Sequence, residues 1–212
     1  MFDILSPIQK SPEWFQTRRG LFTASQIYKL TGKKPDTETA LTYIKSKAAE
    51  SICDQYPPEV YSKEMQHGIE FEPYARELYV QLFHEQILEH GFKFWPLNEF
   101  AGCSPDGLIA GKNKGIEIKC PYTINSHLEN LLIFSGPDLK NEKPEYYWQI
   151  QFSMICFEYD VWDYVSYSPF FKPEYQLISI EIQRNTEDCK FITERVLWAI
   201  EKKNEYLQKI KL

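Results

Sequence analysis

The sequence predicts a mixed α/β fold in which a small central sheet is flanked by helices. Apolar residues recur at helical spacing between residues 11 and 86, and helical spacing returns after residue 123. Between residues 87 and 122 the pattern changes to short apolar or alternating runs separated by glycine and proline, which is typical of strands and tight turns. Helices on both sides of a group of strands favour a sheet packed between helices.

The first half of the chain predicts helices. Residues 11–30 indicate a short helix, a turn at Gly20 and a second helix capped near Thr23 or Ser25. A loop at 32–39, a helix at 39–55 and a long helix from about residue 62 to residue 86 follow. Pro73 predicts a kink or break in the long helix. Its predicted inward residues are Met65, Ile69, Ala75, Leu78 and Leu82.

The second half alternates between the two kinds of pattern. After the strands and turns of residues 87–122, the sequence predicts a helix at about 124–133, a loop at 135–144 and a buried helix at 144–159. Two strands then correspond to the runs WDYVSYS and YQLISIEI, and an amphipathic helix to residues 186–212.

Composition and charge limit the class of protein. A length of 212 residues with 43% hydrophobic residues suits one large domain, or one with modest additions. No apolar run approaches the ~20 residues of a membrane helix, and the start lacks the pattern of a signal peptide. Five cysteines without a CxxC pair predict reduced thiols in the cytosol. The net charge of −6 argues against a basic nucleic-acid coat protein, but allows DNA contacts confined to one face.

The segment from Asp106 to Lys119 carries the chemically informative residues. Glu117 and Lys119 lie two apart in a predicted strand, so both side chains point to one face, while Ile116 and Ile118 point to the core. Asp106 precedes a short hairpin and can lie beside Glu117. Two carboxylates and an ammonium group would then meet at one point, and such oxygen ligands suit Mg²⁺ or Mn²⁺ rather than zinc.

These groups match the needs of phosphodiester cleavage. Mg²⁺ held by Asp106 and Glu117 can polarise a phosphate and lower the pKa of a bound water. Lys119 can hold or help deprotonate that water, and can stabilise negative charge in the transition state. The alternative interpretation is structural: a hairpin with an Asp-Gly turn and an exposed Glu/Lys pair.

Four ordered motifs resemble those of the lambda exonuclease, or YqaJ-type viral recombinase, family in the PD-(D/E)xK nuclease superfamily. GCSPDGL followed by GIEIKCPY resembles its catalytic core, and Trp14 to Ser25 its W-x(3)-R-x-G-x(2)-T-A-S motif. HGIEFE at 67–72 resembles the helix motif G-x-x-x-E, and Tyr147, Gln149 and Gln151 resemble the glutamine-bearing helix. The resemblance covers residues 11–168. It implies a restriction-endonuclease-like core in a single nuclease domain of residues 1–212, with a C-terminal strand and helix at 175–212.

The resemblance also implies roles at the metal site. Asp106, Glu117 and the backbone carbonyl of Ile118 would hold two Mg²⁺ ions, for which Mn²⁺ can substitute, and Lys119 would be the catalytic lysine. Glu72 would add a carboxylate from the long helix, although Glu70 is an alternative two residues away. Gln149 would support the site, and the role of Gln151 stays open.

The same resemblance assigns residues to DNA. Arg18 and Ser25 would bind a terminal 5′ phosphate, the motif spacing favouring Arg18 over Arg19. Lys63 could contact a phosphate, and Met65 could act as an apolar wedge against bases or pack in the core. The loop lysines Lys33 and Lys34 could contact the duplex backbone or only solvent.

The function implied is a 5′-to-3′ exonuclease that degrades one strand of linear double-stranded DNA. The resulting 3′ single strands would be used for annealing recombination in a bacterial or phage-infected cell. A homotrimeric ring around DNA and a single-strand annealing partner protein are implied as well. A structure-specific or restriction-like endonuclease with the same core, and a DNA-end-binding scaffold with a relic site, are the alternatives.

Two further chemistries have weaker support in the sequence. A zinc site would need residues that form no close ligand pair, namely His67, Cys103, Cys120 and His127. Ser104 lacks the G-x-S-x-G context of a hydrolase nucleophile, which predicts a turn residue.

Overall fold

The computed structural model describes residue 9 and residues 11–54 and 62–210, and it confirms a mixed α/β fold. The helices are α1 (Pro12–Thr17), α2 (Glu38–Ile52), α3 (Lys63–Phe83), α4 (Ile124–Leu131), α5 (Gly136–Glu142), α6 (Pro144–Phe157) and α7 (Thr186–Ile210). The strands are β1 (Phe22–Thr23), β2 (Ile87–Leu88), β3 (Lys93–Trp95), β4 (Asn98–Cys103), β5 (Gly107–Ile109), β6 (Lys114–Lys119), β7 (Val161–Tyr167) and β8 (Leu177–Gln183). Short 3₁₀ helices occupy Ala24–Leu30 and Pro173–Tyr175.

The strands form two mixed sheets rather than the single sheet that the pattern predicts. The larger sheet has the order β2-β5-β6-β7-β8, with β6 and β7 parallel and the other pairs antiparallel. The smaller sheet has the order β1-β4-β3, with β1 parallel to β4. The chain passes between the sheets at residues 104–106, where β4 ends and β5 has not yet begun. A residue in this crossing can therefore lie at the edge of the larger sheet.

Helix α6 confirms the prediction of a buried helix. Its apolar residues are buried on several sides, among them Ile150, Phe152 and Met154, each 0% exposed. They share one core with the 3₁₀ helix after β1, with β7 and with α7. A helix that is apolar nearly all round is stable only when other elements surround it. The polar residues on α6 are consequently held in fixed positions.

Helix α3 departs from its predicted pattern in two ways. It continues through Pro73 to Phe83, so the expected break does not occur. Met65, Ile69 and Leu82 are exposed, whereas His67, Ala75 and Tyr79 are buried. Ala75 and Tyr79 pack against Ile116, Ile118 and Val165 of the larger sheet, while the first turns of α3 border an open cleft. Helical spacing alone cannot show which side a partly covered helix turns to its core.

Smaller corrections concern the remaining helices. The predicted loop at 135–144 contains α5, because Ser135 caps it by accepting a hydrogen bond from the Asp138 N–H and Pro137 suits its first turn. The predicted second helix after Gly20 is the 3₁₀ helix, which begins after Thr23. The helix predicted at 39–55 spans Glu38–Ile52, and residue 55 lies outside the described residues. No helix in residues 11–54 or 62–210 is long and apolar enough to span a membrane.

Candidate active site

Asp106, Glu117 and Lys119 meet at the end of β6. The antiparallel pairing of β5 with β6 ends at Gly107 opposite Ile116, and Asp106 lies just beyond it. Its Oδ2 accepts a hydrogen bond from the Ile118 N–H at 2.7 Å, which fixes the carboxylate beside the strand. Lys119 Nζ donates to Glu117 Oε1 at 2.6 Å. Glu117 is only 1% exposed, so the alternative of an exposed Glu/Lys pair on a hairpin is wrong.

Gln149 joins the same cluster from α6. Its Nε2 donates to Glu117 Oε1 at 2.7 Å, and its Oε1 accepts from Lys119 Nζ at 3.3 Å. One turn earlier, the ring of Tyr146 lies 4.8 Å from Lys119 Nζ, a cation–π contact that the sequence analysis missed. Its signal in the sequence is the spacing of three between Tyr146 and Gln149, which places both on one side of a helix.

Gln151, by contrast, faces away from the site. Its Nε2 donates to the Gln183 carbonyl at 3.0 Å, and its Oε1 accepts from the Asn185 N–H at 2.9 Å. It therefore ties α6 to the junction between β8 and α7. These contacts assign Gln151, whose role the sequence left open, a structural role.

Glu72 approaches the cluster from α3, and the structure distinguishes it from Glu70. Glu72 lines the same cleft as Asp106 and its charge raises the pKa of both Asp106 and Glu117, whereas Glu70 is exposed outside the lining. Arg76, one turn further along α3, donates to Glu72 Oε1 at 2.6 Å. The sequence analysis missed Arg76, which follows Glu72 by four residues, the spacing of an ion pair on one helix face.

Negative charge exceeds positive charge around Glu117. Burial raises the pKa of Asp106 well above its usual value, and the charges of Glu117 and Glu72 raise it further. Burial likewise raises the pKa of Glu117, although Lys119 opposes the shift. The pKa of Lys119 is raised too: burial lowers it, but Glu117 and Asp106 outweigh burial. Lys119 pairs with Glu117 and Arg76 with Glu72, so these two cations face three carboxylates.

The donor set fits a divalent cation with oxygen ligands. Glu117 Oε2 is buried and has no hydrogen-bond partner in the described part of the chain. Leaving such an atom unpaired costs about 1–3 kcal/mol or more, and a cation would satisfy it. Among the described residues, no three His, Cys, Asp or Glu side chains form a ready metal cage. Mg²⁺ suits this arrangement, because it is commonly bound by one or two carboxylates with waters and phosphate completing its shell.

The cluster lies in a cleft that also contains basic residues. The cleft has a volume of about 1620 Å³, larger than the ~300–1,000 Å³ of small-molecule pockets. Its lining includes both predicted phosphate ligands, Arg18 and Ser25, as well as Arg19. The Arg18 guanidinium lies 3.7 Å from the centre of the Trp14 ring. Lys29 also lines the cleft, and the sequence analysis did not single it out. Its pKa is lowered by burial and by the charge of Lys47.

Two hydrogen bonds fix the Gly20 turn, which lies next to this basic part of the cleft. Gly20 adopts a left-handed conformation with φ of 68°, and a Cβ there would lie 2.3 Å from Ser51 Oγ. Its N–H donates to Glu50 Oε2 at 3.0 Å, and its carbonyl accepts from Lys203 Nζ at 2.9 Å. Lys203 is 2% exposed and belongs to α7. The C-terminal helix thus helps to hold the turn that follows Arg18.

The remaining predicted DNA contacts are distributed unevenly. Met65 lines the cleft and is 46% exposed, so the alternative of core packing is wrong for this residue. Lys63 is exposed at the start of α3 but does not line the cleft. Lys33 and Lys34 are exposed in a loop that Arg195 anchors by donating to the Gly32 and Lys33 carbonyls. DNA contacts by these three lysines stay predictions.

Two of the residues considered for other chemistries, His127 and Ser104, have structural partners. His127 is buried, and its two ring nitrogens contact Ser166 Oγ and the Tyr175 carbonyl, each at 2.9 Å. Neither nitrogen is available to a metal ion in this arrangement. Ser104 Oγ accepts a hydrogen bond from Trp14 Nε1 at 2.9 Å, so it joins α1 to the crossing between the two sheets.

Two carboxylates, a lysine and a glutamine meet at the end of the central strand of a mixed sheet, an arrangement that suits a divalent-cation site. Comparison with known proteins identifies the family. The model of the YqaJ-like viral recombinase domain matches residues 13–160. The chain therefore belongs to the YqaJ-like viral recombinase family. No curated protein sequence matches it.

Solved structures agree with this assignment. The chain is similar to the alkaline exonuclease LHK-Exo from Laribacter hongkongensis, with 28% identity and a TM-score of 0.82. A structure of LHK-Exo in complex with dAMP gives 29% identity and a TM-score of 0.83. Both comparisons cover 95% of this chain and 96% of the other. A phage-related exonuclease from Haemophilus somnus 129PT, 19% identical over 90% of this chain and 96% of its own, shares the fold with a TM-score of 0.74.

Proposed function

We propose that this protein is a divalent-cation-dependent exonuclease that degrades one strand of linear double-stranded DNA in the 5′-to-3′ direction. The observation that carries the proposal is the shared cleft. Asp106, Glu117 and Lys119 lie in the same cleft as Arg18 and Ser25. Membership of the family and similarity to exonucleases over nearly the whole chain support DNA as the substrate.

The residues of the chain divide the chemistry between them. A divalent cation bound by Asp106, Glu117 and the Ile118 carbonyl, with a second ion near Glu72, would neutralise phosphate charge and lower the pKa of a bound water. Mg²⁺ is the expected ion, and Mn²⁺ should substitute. Lys119 donates hydrogen bonds to the attacking water or to a phosphate oxygen, where negative charge increases during the reaction. Gln149 contacts both Lys119 and Glu117, and so fixes the distance between the ammonium group and the carboxylate.

The basic part of the cleft supplies the preference for a 5′ end. A guanidinium group can donate two parallel hydrogen bonds to a phosphate, and the Ser25 hydroxyl can add a third. Arg18 is restrained by the Trp14 ring and by the Gly20 turn that follows it. A pocket for a terminal phosphate is useful only at a DNA end. Arg18 therefore favours an exonuclease over an endonuclease that has the same core.

Digestion of end-labelled DNA tests the proposal. With Mg²⁺, 5′-phosphorylated linear duplex should be degraded faster than 5′-hydroxyl duplex, and closed circles should not be cut. Labels on the two strands should show loss from the 5′ end and survival of the 3′ strand. Cutting of closed circles at the rate of linear DNA would show an endonuclease, and loss from the 3′ end would reverse the proposed direction.

A matched pair of arginine variants assigns the end preference to Arg18. Arg18→Ala should reduce the preference for 5′-phosphate over 5′-hydroxyl ends by roughly tenfold, since a charge-assisted hydrogen bond contributes about 1.5–3 kcal/mol. Arg184→Ala, on the loop after β8 and outside the cleft lining, should keep the preference of the wild type. An unchanged preference in Arg18→Ala would remove the proposed role of this residue.

The assembly and partner are proposed from the family resemblance. A homotrimeric ring would place the clefts around a duplex, and would let a protein with net charge −6 bind DNA through local positive charge. The 3′ strands produced would pass to a single-strand annealing protein. Light scattering on the purified protein should give three times the mass of the 25.1 kDa chain, and a monomeric mass would contradict the ring.

A further inference from the structure

Next to the carboxylates the cleft is lined mainly by uncharged residues, although Glu64 of α3 also lines it. Met65, Gly68 and Ile69 on α3 line it from one side, and Tyr122 lines it from the segment after β6. Met65 and Ile69 are 46% and 39% exposed, and Tyr122 is 46% exposed. Met65, Gly68, Ile69 and Glu72 follow one another at spacings of three, one and three, so one face of α3 presents them together. The uncharged residues of this face therefore lie directly beside Glu72.

Gly68 leaves open space on that face. An ideal Cβ at Gly68 would have no neighbour within 4 Å among the described residues. Within the described residues, a close approach of neighbouring backbone therefore does not explain this glycine. Glycine inside a helix costs about 0.5–1 kcal/mol relative to alanine. Packing within the described chain does not account for this cost, but room for a ligand in the cleft would.

Tyr122 is supported from behind by a cluster of aromatic rings. The His67 ring meets Tyr122 edge-on at 5.5 Å between centroids. His67 also contacts Phe71 at 4.5 Å and lies nearly parallel to Phe170 at 6.2 Å, with 25° between the planes. His67 is 8% exposed, while Phe170 is 64% exposed. A tyrosine held in this way offers a rigid aromatic surface to the cleft with little loss of side-chain freedom on binding.

The cluster also contains an unsatisfied polar atom. His67 Nε2 is buried and has no hydrogen-bond partner within the described residues. Buried polar atoms without partners are uncommon in proteins, and each one points to a strained site or to a group that is absent. A nucleobase carries both a flat apolar face and polar atoms on its edge. The exposed Tyr122 ring matches the flat face, whereas His67 lies behind that ring and outside the cleft lining.

From these contacts we infer that Tyr122 and the open face at Gly68 bind the unpaired base of the terminal nucleotide on the strand being cut. The inference rests on the proposed exonuclease function. To reach Asp106 and Glu117, a terminal nucleotide must leave the duplex, and its base loses both pairing and stacking. An aromatic side chain can replace the lost stacking irrespective of base identity. Tyr122 is suited to this role because it follows Lys119 by three residues in the same cleft.

Abasic substrates test the inference directly. The wild type should cut a 5′-phosphorylated duplex about tenfold more slowly when the first nucleotide lacks its base, because base–aromatic stacking contributes about 1–3 kcal/mol. An abasic nucleotide opposite it, at the 3′ end of the surviving strand, should have no effect. Tyr122→Ala should cut normal DNA about tenfold more slowly than the wild type and should no longer distinguish the abasic 5′ end. Tyr122→Trp should restore both the rate and the discrimination.

Two further variants separate binding from folding. Gly68→Ala should keep or raise the melting temperature, because alanine favours the helix, while its added methyl group should slow cleavage. Tyr175→Ala removes an equally exposed tyrosine outside the cleft lining and should behave as the wild type. Wild-type cleavage rates in Gly68→Ala would show that nothing occupies the open face.

Failure of this inference is distinguishable from failure of the proposed function. Cutting of closed circles by the wild type would overturn the exonuclease itself. End-dependent cleavage with full abasic discrimination in Tyr122→Ala would overturn only the role of Tyr122. A changed oligomeric mass in Tyr122→Ala, with abasic discrimination retained, would assign the surface to a second copy of the chain and overturn base binding.

Discussion

Strand β6 carries a lysine at each end, and each lysine pairs with buried carboxylates in a different cluster of charged residues. Lys114, at the start, donates to Asp163 Oδ1 of β7 at 2.9 Å and to Glu181 of β8 at 3.1 Å. Lys119, at the end, pairs with Glu117 of its own strand. Their side chains are almost equally exposed, at 18% and 22%. Burial of the lysines therefore does not explain why the clusters differ.

The difference lies in how completely the buried carboxylates are satisfied. Asp163 accepts from Lys114 at one oxygen and from the Tyr79 hydroxyl at the other. Glu117 accepts from Lys119 and Gln149 at one oxygen, while its other oxygen has no partner in the described chain. Burial raises the pKa of both carboxyls, so the direction of the shift does not separate them. An incomplete set of partners, rather than a shifted pKa, distinguishes the carboxylate for which we propose cation binding.

We call Lys119, Glu117 and Gln149 the open cluster, and Lys114, Asp163, Glu181 and Tyr79 the closed cluster. The largest expected effect is the loss of cleavage when Lys119 is replaced. Lys119→Met should reduce the rate by roughly 10²–10⁴-fold, because it removes the ammonium group that lies beside Glu117 and is proposed to stabilise negative charge on the phosphate. Lys114→Met, assayed on protein confirmed to be folded, should stay within about twofold of the wild type. Steady-state cleavage of linear duplex measures both. Comparable losses in the two variants would mean that the clusters act in the same way.

The closed cluster should instead control stability. Lys114→Met should lower the free energy of unfolding by roughly 3 kcal/mol, since it leaves buried Asp163 without its cation. Burial lowers the pKa of Lys114, but Asp163 and Glu181 outweigh burial, so the pKa in the folded state lies above 10.5. The stabilisation is then complete below pH 10.5 and is lost as the pH rises through the folded-state pKa.

Urea unfolding between pH 8 and pH 11 measures this contribution. The difference in stability between the wild type and Lys114→Met should stay constant up to about pH 10.5 and decrease above it. A constant difference between them at all pH values would contradict the assignment.

Cation binding should stabilise the folded protein, and this gain should depend on the open cluster and not on the closed one. Without DNA, Mg²⁺ at about 100 times its dissociation constant should raise the free energy of unfolding by about 2.7 kcal/mol. Glu117→Gln should lose most of this gain, whereas Tyr79→Phe in the closed cluster should keep it. Thermal unfolding with Mg²⁺ and with a chelator measures the gain. A gain of equal size in Glu117→Gln would place the ion elsewhere.

The smallest expected effect is that two Asp→Asn substitutions, one in each cluster, change the free energy of unfolding in opposite directions. Without a divalent cation, Asp106→Asn should raise the free energy of unfolding by about 1 kcal/mol, because it removes repulsion from Glu117 and Glu72 and can still accept the Ile118 N–H. Asp163→Asn should lower the free energy by a similar amount, because it weakens the pair with Lys114. Chemical unfolding at pH 8 compares them, and equal signs would show that the clusters are alike.

Local pattern in the sequence predicted which residues lie together where neighbouring residues decide the geometry. The alternation along β6 placed Glu117 and Lys119 on one face, and the turn before β5 brought Asp106 beside them. Gln149 was expected near the lysine, and the structure places it within hydrogen-bond distance. Each of these predictions depends on strand or helix spacing and on ordered motifs, which a single sequence contains.

Contacts between distant segments could not be predicted in this way. The two sheets, the outward face of the first half of α3 and the hydrogen bond from Lys203 to Gly20 depend on which elements pack together. The opposite roles of Gln149 and Gln151, two residues apart on a helix buried on most sides, depend on it as well. The helical and strand periods predict which residues share a face, but not which other elements pack against that face.

The sequence by itself therefore determined the α/β class, the family motifs and the identity of the acidic residues and lysine in the cleft. Only the tertiary structure decided which lysine of β6 is part of a closed ion-pair network and which is part of an open one. The physical reason is that the free energy of a buried charge depends on all the groups around it. At Lys114 and Lys119 those groups come from α3, α6, β7 and β8, which are far apart in the chain.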